Sequence, residues 1–514
     1  MDRTEEFKQS ILNGYNFEGT SIVLGTAIFD HLPIAQTLVK VPLRMMNRHG
    51  LVAGATGTGK TKTLQGIVEQ LSDNGVAVLI MDIKGDVSGI AMEGTPNPKI
   101  DDRMQKIGKD WKAKGYPVEL MSISNENGVR LRATISEFGP VLFSKILELN
   151  DIQQGVVSLV FKYCDDKKLP LLDLKDFRKT LNYLSNEGKK EIESEYGTIS
   201  TSSAGTILRK VIEIEEQGAD LFFGEKSFEV DDLCRINDRG QAYINILRLT
   251  DIQSKPKLFS TFMLCLLAEV YNTFEEIGDK EDPKLVIIID EAHLIFNEAS
   301  KNLLEQIQTI IKLIRSKGVG IFFCTQLPTD IPAEVLSQLG LKIQHALRAF
   351  TANDRKAIKL TSENYPLTDF YKTEELLTNL GIGEALITAL NEKGSPAPLA
   401  HTLLVAPQSR MDILSEQEMQ TLIGNSSLVK KYNEEIDRES AHEILSKKLA
   451  ESEKLAEKEK QLKEEEKKIK QEERERKVKE KKQPPFIDKT TQHQLTRTVI
   501  NVLERGLLGL LKRR

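Results

Sequence analysis

The chain has 514 residues, of which 40% are hydrophobic and 29% charged, and a formal net charge of −5. That is the balance of a folded protein long enough for roughly two to four domains. The slight negative charge excludes a wholesale electrostatic pull on nucleic acid or membrane, so any such surface is local. Cys164, Cys234, Cys265 and Cys324 form no C-x-x-C pair, which argues against a zinc site or a secreted disulfide framework and for reduced thiols. The opening "MDRTEEFKQSILNGYN" is too acidic and polar for a signal peptide, and no apolar run approaches the roughly 18 residues of a membrane span. A cytoplasmic protein with no integral membrane segment is expected.

Residues 1–45 read as a short β-rich segment, because "TSIVLGTAIFD" and "TLVKVPLRMM" set short apolar runs between turns. Residues 46–135 start an α/β core. A short apolar run enters a glycine-rich loop, and "TLQGIVEQLSDNG" follows with Leu64, Ile67, Val68 and Leu71 at helical spacing before Gly75. "VAVLIMDIKGD" is apolar without alternation, the pattern of a parallel strand buried on both faces. Strand, loop, helix and strand in this order open an α/β fold with a mostly parallel sheet.

From 136 to 230 the patterns turn amphipathic and helical, as in "VLFSKILELNDIQQGVVSLVFKYC" and "SAGTILRKVIEIEEQG", and a helical insertion is expected. The core resumes over 231–410 with the strand "QAYINILRL", the apolar helix "LFSTFMLCLLAEVYNTF", the strand "KLVIIIDEAH", the helix "LLEQIQTIIKLIRSKG" and the strand "VGIFFCTQ". Residues 411–485 form a charged helical extension. Its main apolar points, Leu455, Leu462 and Ile469, fall once per heptad, which supplies no coiled-coil seam and favours a solvated helix held by Glu/Lys pairs. Residues 486–514 read as an amphipathic helix with a basic end, suited to dock on the core or on a neighbouring subunit.

"GATGTGKT" fits the phosphate-binding pattern G-x-x-x-x-G-K-[ST] between a strand and a helix. Gly54, Gly57 and Gly59 let the backbone turn so that the N–H groups of the loop, from Gly54 through Ala55, Thr56, Gly57, Thr58 and Gly59 to Lys60, Thr61 and Lys62, face phosphate oxygens. Lys60 is expected at the β and γ phosphates of ATP, and the Thr61 hydroxyl on Mg²⁺. The strand "LVIIIDEAH" adds Asp290 for the Mg²⁺ shell and Glu291 to polarise the attacking water. Asp82 of "MDIKGD" is a rival for the metal but has no acid after it. "DEAH" is not read as the helicase signature it spells, because no S-A-T motif and no second lobe follow. Gln326, ending "VGIFFCTQ", is placed to sense the γ-phosphate or the water. Arg315 and Arg348 are candidate fingers for transition-state charge, with pairing to surface carboxylates open for each.

The set "RHGLVAGATGTGKT", "MDIKGD", "LVIIIDEAH", "RSKGVGIFFCTQLP" and "VLSQLGLKIQHALR" resembles the HerA/FtsK superfamily of RecA-like ATPases, and more closely the bacterial HerA-helicase-like ATP-binding proteins, over roughly residues 40–410. The resemblance implies a homo-oligomer, a hexameric ring with the site between subunits, Lys60, Thr61, Asp290, Glu291 and Gln326 on one side and Arg315 or Arg348 from the neighbour. It implies double-stranded DNA as cargo, gripped through its phosphates. The basic clusters at Arg130, Arg132 and at Arg209, Lys210 would line a pore or stand as solvated faces. An ATP-dependent switch or scaffold that binds a protein partner through the tail is the alternative.

Overall fold

The continuous apolar runs of the core are strands for the reason the pattern implies: every residue of "LVIII" and of "VGIFFCT" is buried. The computed structural model describes residues 2–252, 255–277, 282–298, 301–391, 393–434, 436 and 438–480. They fall into two units, Met1–Leu445 and Ser446–Arg514.

The strands are β1 (Ser21–Phe29), β2 (Leu32–Pro42), β3 (Gly50–Ala53), β4 (Ala77–Asp82), β5 (Val118–Ser122), β6 (Val129–Arg130), β7 (Ile244–Arg248), β8 (Leu285–Ile289), β9 (Val319–Thr325), β10 (Leu341–Gln344), β11 (Glu384–Ala389) and β12 (Ala400–Leu404). They make one 12-stranded sheet in the order β2-β1-β12-β11-β10-β3-β9-β8-β4-β7-β5-β6. From β10 to β6 all pairings are parallel, and from β2 to β10 all are antiparallel. The architecture is therefore α/β with a mostly parallel RecA-like core.

The amino-terminal segment differs from the expected separate β-rich piece. It begins with a helix, Arg3–Gly14, which buries Phe7 and Ile11. Phe7 stacks on Phe29 at 4.8 Å between centroids, and the Tyr15 hydroxyl donates to the carbonyls of Ile387 (3.1 Å) and Pro398 (2.7 Å). β1 pairs with β12, Gly25 opposite Leu404, so residues 1–45 belong to the main sheet.

Between β6 and β7 lie helices Ile135–Ile146, Asp151–Lys167, Leu174–Ser185, Lys189–Glu195 and Thr201–Glu216. Their centre is aromatic, with Phe143 at 4.8 Å from Phe177 and 6.1 Å from both Phe161 and Phe223. Capping boxes start three of them, at Thr134, Asn150 and Asp173.

The charged extension starts later than residue 411. Leu414, Leu428, Tyr432, Ala441 and Leu445 are buried, and the Ala441 and His442 amides donate to the Pro170 carbonyl and the Asp176 carboxylate. The long helix Ala441–Glu480 then continues with Leu455, Leu462 and Ile469 exposed. The amphipathic helix expected over 486–514 lies outside the described residues. No helix among the described residues is long and apolar enough to cross a membrane.

Candidate nucleotide site

The glycine-rich loop connects β3 to the helix Lys60–Asp73. Gly54, Gly57 and Gly59 all have positive φ, at 152°, 80° and 108°. At Gly54 the need is doubled, because a Cβ there would stand 2.5 Å from the Cβ of His345. The loop is pinned at its base: Gly54 N–H donates to the Thr325 carbonyl (3.3 Å), and Ala55 N–H to that of Ala346 (2.8 Å). Thr56 and Gly57 are exposed at the tip, while Thr58 is buried with its hydroxyl on the Ala55 carbonyl at 2.7 Å.

Lys60 is buried and curls back, its Nζ donating to the carbonyls of Gly54 (2.7 Å) and Ala55 (3.2 Å). Burial lowers its pKa, with Glu291 and Asp290 among the groups opposing the shift. The Thr61 hydroxyl donates to Asp86 Oδ2 at 3.2 Å. The other oxygen, Asp86 Oδ1, is buried without a hydrogen bond. Lys62 donates to the Met411 carbonyl and turns away from the loop.

Asp290 and Glu291 follow β8 at the same carboxyl-terminal edge, with β9 between β8 and β3. Burial raises the pKa of Asp290, which also accepts a hydrogen bond from the Cys324 thiol. Glu291 is buried in a left-handed conformation, φ 46°. Its Oε1 forms an ion pair with Lys84, and its Oε2 is 3.2 Å from His293 Nδ1. The rival Asp82 is occupied in organising its own turn, accepting from the amides of Gly85 (2.7 Å), Asp86 (3.3 Å) and Val87 (3.4 Å). Burial, with the Asp86 and Asp290 charges adding, pushes its pKa up to about 6.

Gln326 is exposed at the end of β9, between the loop strand and the acid strand. The two arginines part company. Arg348 is exposed two residues past Ala346, on its own chain's loop edge, whereas Arg315 precedes β9 and sits at the opposite edge of the sheet. Arg315 therefore cannot reach the loop of its own chain. The basic clusters are mostly committed within the fold. Arg130 donates to the Ser124 carbonyl, Arg132 to those of Glu225 (3.1 Å) and Tyr432 (3.2 Å), and Lys210 pairs with Glu148 and Glu213. Arg209 is exposed.

Three residues at the site escape a sequence reading. Lys84 is two positions past β4, and only the β4–β8 pairing, Met81 opposite Ile289, brings it to Glu291. His345 lies under the loop with Nε2 3.0 Å from the Thr63 hydroxyl. His49 accepts from the Ile321 amide at Nδ1 (3.0 Å) and donates from Nε2 to the Ile311 carbonyl (2.9 Å), tying the entry of β3 to its neighbours. The "RHG" and "QHA" histidines within apolar runs were the available signal.

A glycine-rich loop at a helix start, one strand removed from a strand-end acid pair, defines the chain as a RecA-like P-loop protein. It belongs to the Helicase HerA-like C-terminal family, which it matches over residues 31–514. It is 24% identical over 374 residues to the DNA double-strand break repair helicase HerA of Sulfolobus acidocaldarius, covering 68% of this chain and 64% of that one. A probable helicase of Methanocaldococcus jannaschii is 24% identical over 347 residues, 67% of this chain and 60% of the other. The chain thus spans less than two thirds of the length of these relatives. Among solved structures, the bacterial conjugative coupling protein TrwB, in its trigonal form with sulphate, shares the fold at a TM-score of 0.50 and 12% identity, covering 79% of this chain and 94% of that one.

Proposed function

We propose that the protein is an ATP hydrolase of the HerA/FtsK type, working as a homo-oligomeric, hexameric ring motor on double-stranded DNA. The observation that carries the chemistry is the shared edge of β3, β9 and β8, which gathers a phosphate-binding loop and two buried carboxylates. Lys60 leaves the loop carbonyls for the β and γ phosphates when these arrive, a charge-assisted exchange of partners. Glu291 polarises the water that attacks the γ-phosphorus, and Gln326 orients it. Arg315, facing away from its own loop, is the finger offered to the next protomer, and Arg348 acts on its own chain's nucleotide.

The residues fit Mg²⁺. The Thr61 hydroxyl, the buried Asp290 and the unpartnered Asp86 Oδ1 are hard oxygen donors beside one another's elements. Bound with ATP, the cation would neutralise charge developing on the phosphates; Thr61 and Asp290 would hold it. The DNA part of the reading is supported by family membership and by the helicases among the relatives. The exposed charged helix beyond Leu445 offers a surface to a protein partner.

Steady-state hydrolysis of ATP by wild type and Glu291→Gln, with and without linear duplex DNA across a salt series, tests both halves. Glu291→Gln is expected to bind ATP while hydrolysing about 10² to 10⁴-fold more slowly. Wild type is expected to be stimulated by DNA, with the stimulation falling as salt rises. Glu291-dependent hydrolysis indifferent to DNA would replace the motor with the partner-binding switch.

A further inference from the structure

Next to the loop lies a cavity of about 280 Å³ whose lining takes in Gly59, Lys62 and Thr63 but neither Asp290 nor Glu291. Its walls are apolar, built from Ile100, Val405, Ala406 and Pro407, with Ile382 and Met411 at the rim. Those two rim side chains are 73% and 37% exposed, an apolar surface beside a phosphate cradle that nothing in the chain covers among the described residues.

The cavity is a rigid construction. The Arg103 guanidinium donates to the carbonyls of Gly383 (2.9 Å), Ile382 (3.1 Å) and Leu404 (3.2 Å), so that one side chain clamps both loops of the rim. Gly383 N–H donates to the Thr58 carbonyl at 3.1 Å, and Lys62 to that of Met411, which ties the rim to the P-loop itself. These bonds also consume the carbonyls that would otherwise read a ligand's edge.

We propose that this pocket is the base subsite, taking the purine ring of the nucleoside triphosphate whose phosphates the P-loop holds. The inference rests on the ATPase reading above. A triphosphate with its γ end toward Glu291 carries its sugar and base past the first turn of the helix Lys60–Asp73, where Lys62 and Thr63 border the cavity. Apolar walls repel phosphate and accept a flat aromatic body, and the size suits one base rather than a larger ligand. Because the rim carbonyls are taken by Arg103 and the loop amides, recognition is by shape and apolar contact. Adenine and guanine are then held alike, and a pyrimidine less well.

The test is calorimetric binding of ATP, GTP, CTP and inorganic tripolyphosphate, each with Mg²⁺, to the full chain. Its variants are Lys60→Ala and the double variant Ile382→Ser, Met411→Ser, whose exposed sites spare the core. In wild type, ATP and GTP are expected to bind within about threefold of each other and CTP about tenfold more weakly. The double variant is expected to weaken ATP about tenfold while tripolyphosphate stays within about twofold. An unchanged ATP affinity, or equal weakening of ATP and tripolyphosphate, overturns the subsite. If Lys60→Ala still weakens both ligands, the P-loop reading survives that failure; if Lys60→Ala weakens neither, the P-loop reading falls and the subsite with it.

Discussion

The ammonium of Lys84 rests on the carboxylate of Glu291, so the residue best placed to activate water is already ion-paired. Burial alone lowers the pKa of Lys84, but the charges of Asp290 and Glu291 outweigh it and raise the pKa overall. A γ-phosphate arriving between Lys60 and Glu291 is a rival anion for the same cation, and drawing Lys84 away frees the carboxylate. Lys84→Met should therefore leave ADP affinity unchanged and weaken ATP about tenfold, because only ATP offers that phosphate. Isothermal titration with the two nucleotides measures the ratio. Equal loss for both would mean that Lys84 merely supports the fold.

His49 links stability to pH. Both ring nitrogens are in use, Nδ1 accepting and Nε2 donating, so a second proton has no place. Burial pushes the pKa down to about 4, and His345, also buried, is lowered to about 4. The unfolded chain binds the protons first, so stability is full above roughly pH 6.5 and drains as pH falls toward 4. Each histidine is expected to cost about 2 kcal/mol between pH 7 and 5, and Asp82, whose pKa is raised to about 6, returns about 1 kcal/mol over the same range. Denaturant unfolding of wild type and His49→Asn at pH 7 and 5 should show a shallower pH dependence in the variant.

Much of the parallel half was legible. Strands β4, β8 and β9 are long apolar runs, and the helix after the loop stops at Asn74 and the left-handed Gly75 as its pattern implies. Strands β10, β11 and β12 were not, since four to six residues such as "LKIQ" or "AHTLL" carry too little periodicity to separate strand from helix. The loop and acid pair were readable because their spacing is local. The Lys84–Glu291 pair was not, because it depends on strand order, and the opposite placement of Arg315 and Arg348 depends on strand direction.

Gly54→Ala meets two obstacles at once, a φ of 152° and the His345 Cβ at 2.5 Å. The loop must move or His345 must yield. A stability loss of about 1–3 kcal/mol is expected, with at least about a tenfold loss in ATP affinity. Gly57→Ala, with open space around its Cβ, meets only the backbone strain and should cost less in a thermal melt.

The two arginines should separate in mixing experiments. If Arg315 acts across a ring interface, adding inactive Lys60→Ala protein to Arg315→Ala restores hydrolysis, since each supplies what the other lacks. Arg348→Ala, acting beside its own loop, should gain nothing from the same partner. Hydrolysis rate against mixing ratio reads the difference, and identical curves would remove the distinction.

Cutting the chain after Leu445 should leave the melting temperature of the first unit nearly unchanged, because the removed residues form a separate unit. Cutting after Arg438 also strips the buried Ala441 and Leu445 and the His442 bond to Asp176, and should lower stability by about 2–4 kcal/mol. Chemical denaturation of both truncations gives the comparison.

The position of β3 also matters while the protein is being made. Its two neighbours, β9 and β10, begin at Val319 and Leu341, and β1 finds its partner only when Leu404 has been synthesised. At about 5–20 residues per second, the nascent loop strand waits on the order of tens of seconds with both edges open. Such distant pairings fold slowly and invite aggregation meanwhile, so assembly of the nucleotide site is among the last events of synthesis and a point where a chaperone has most to protect.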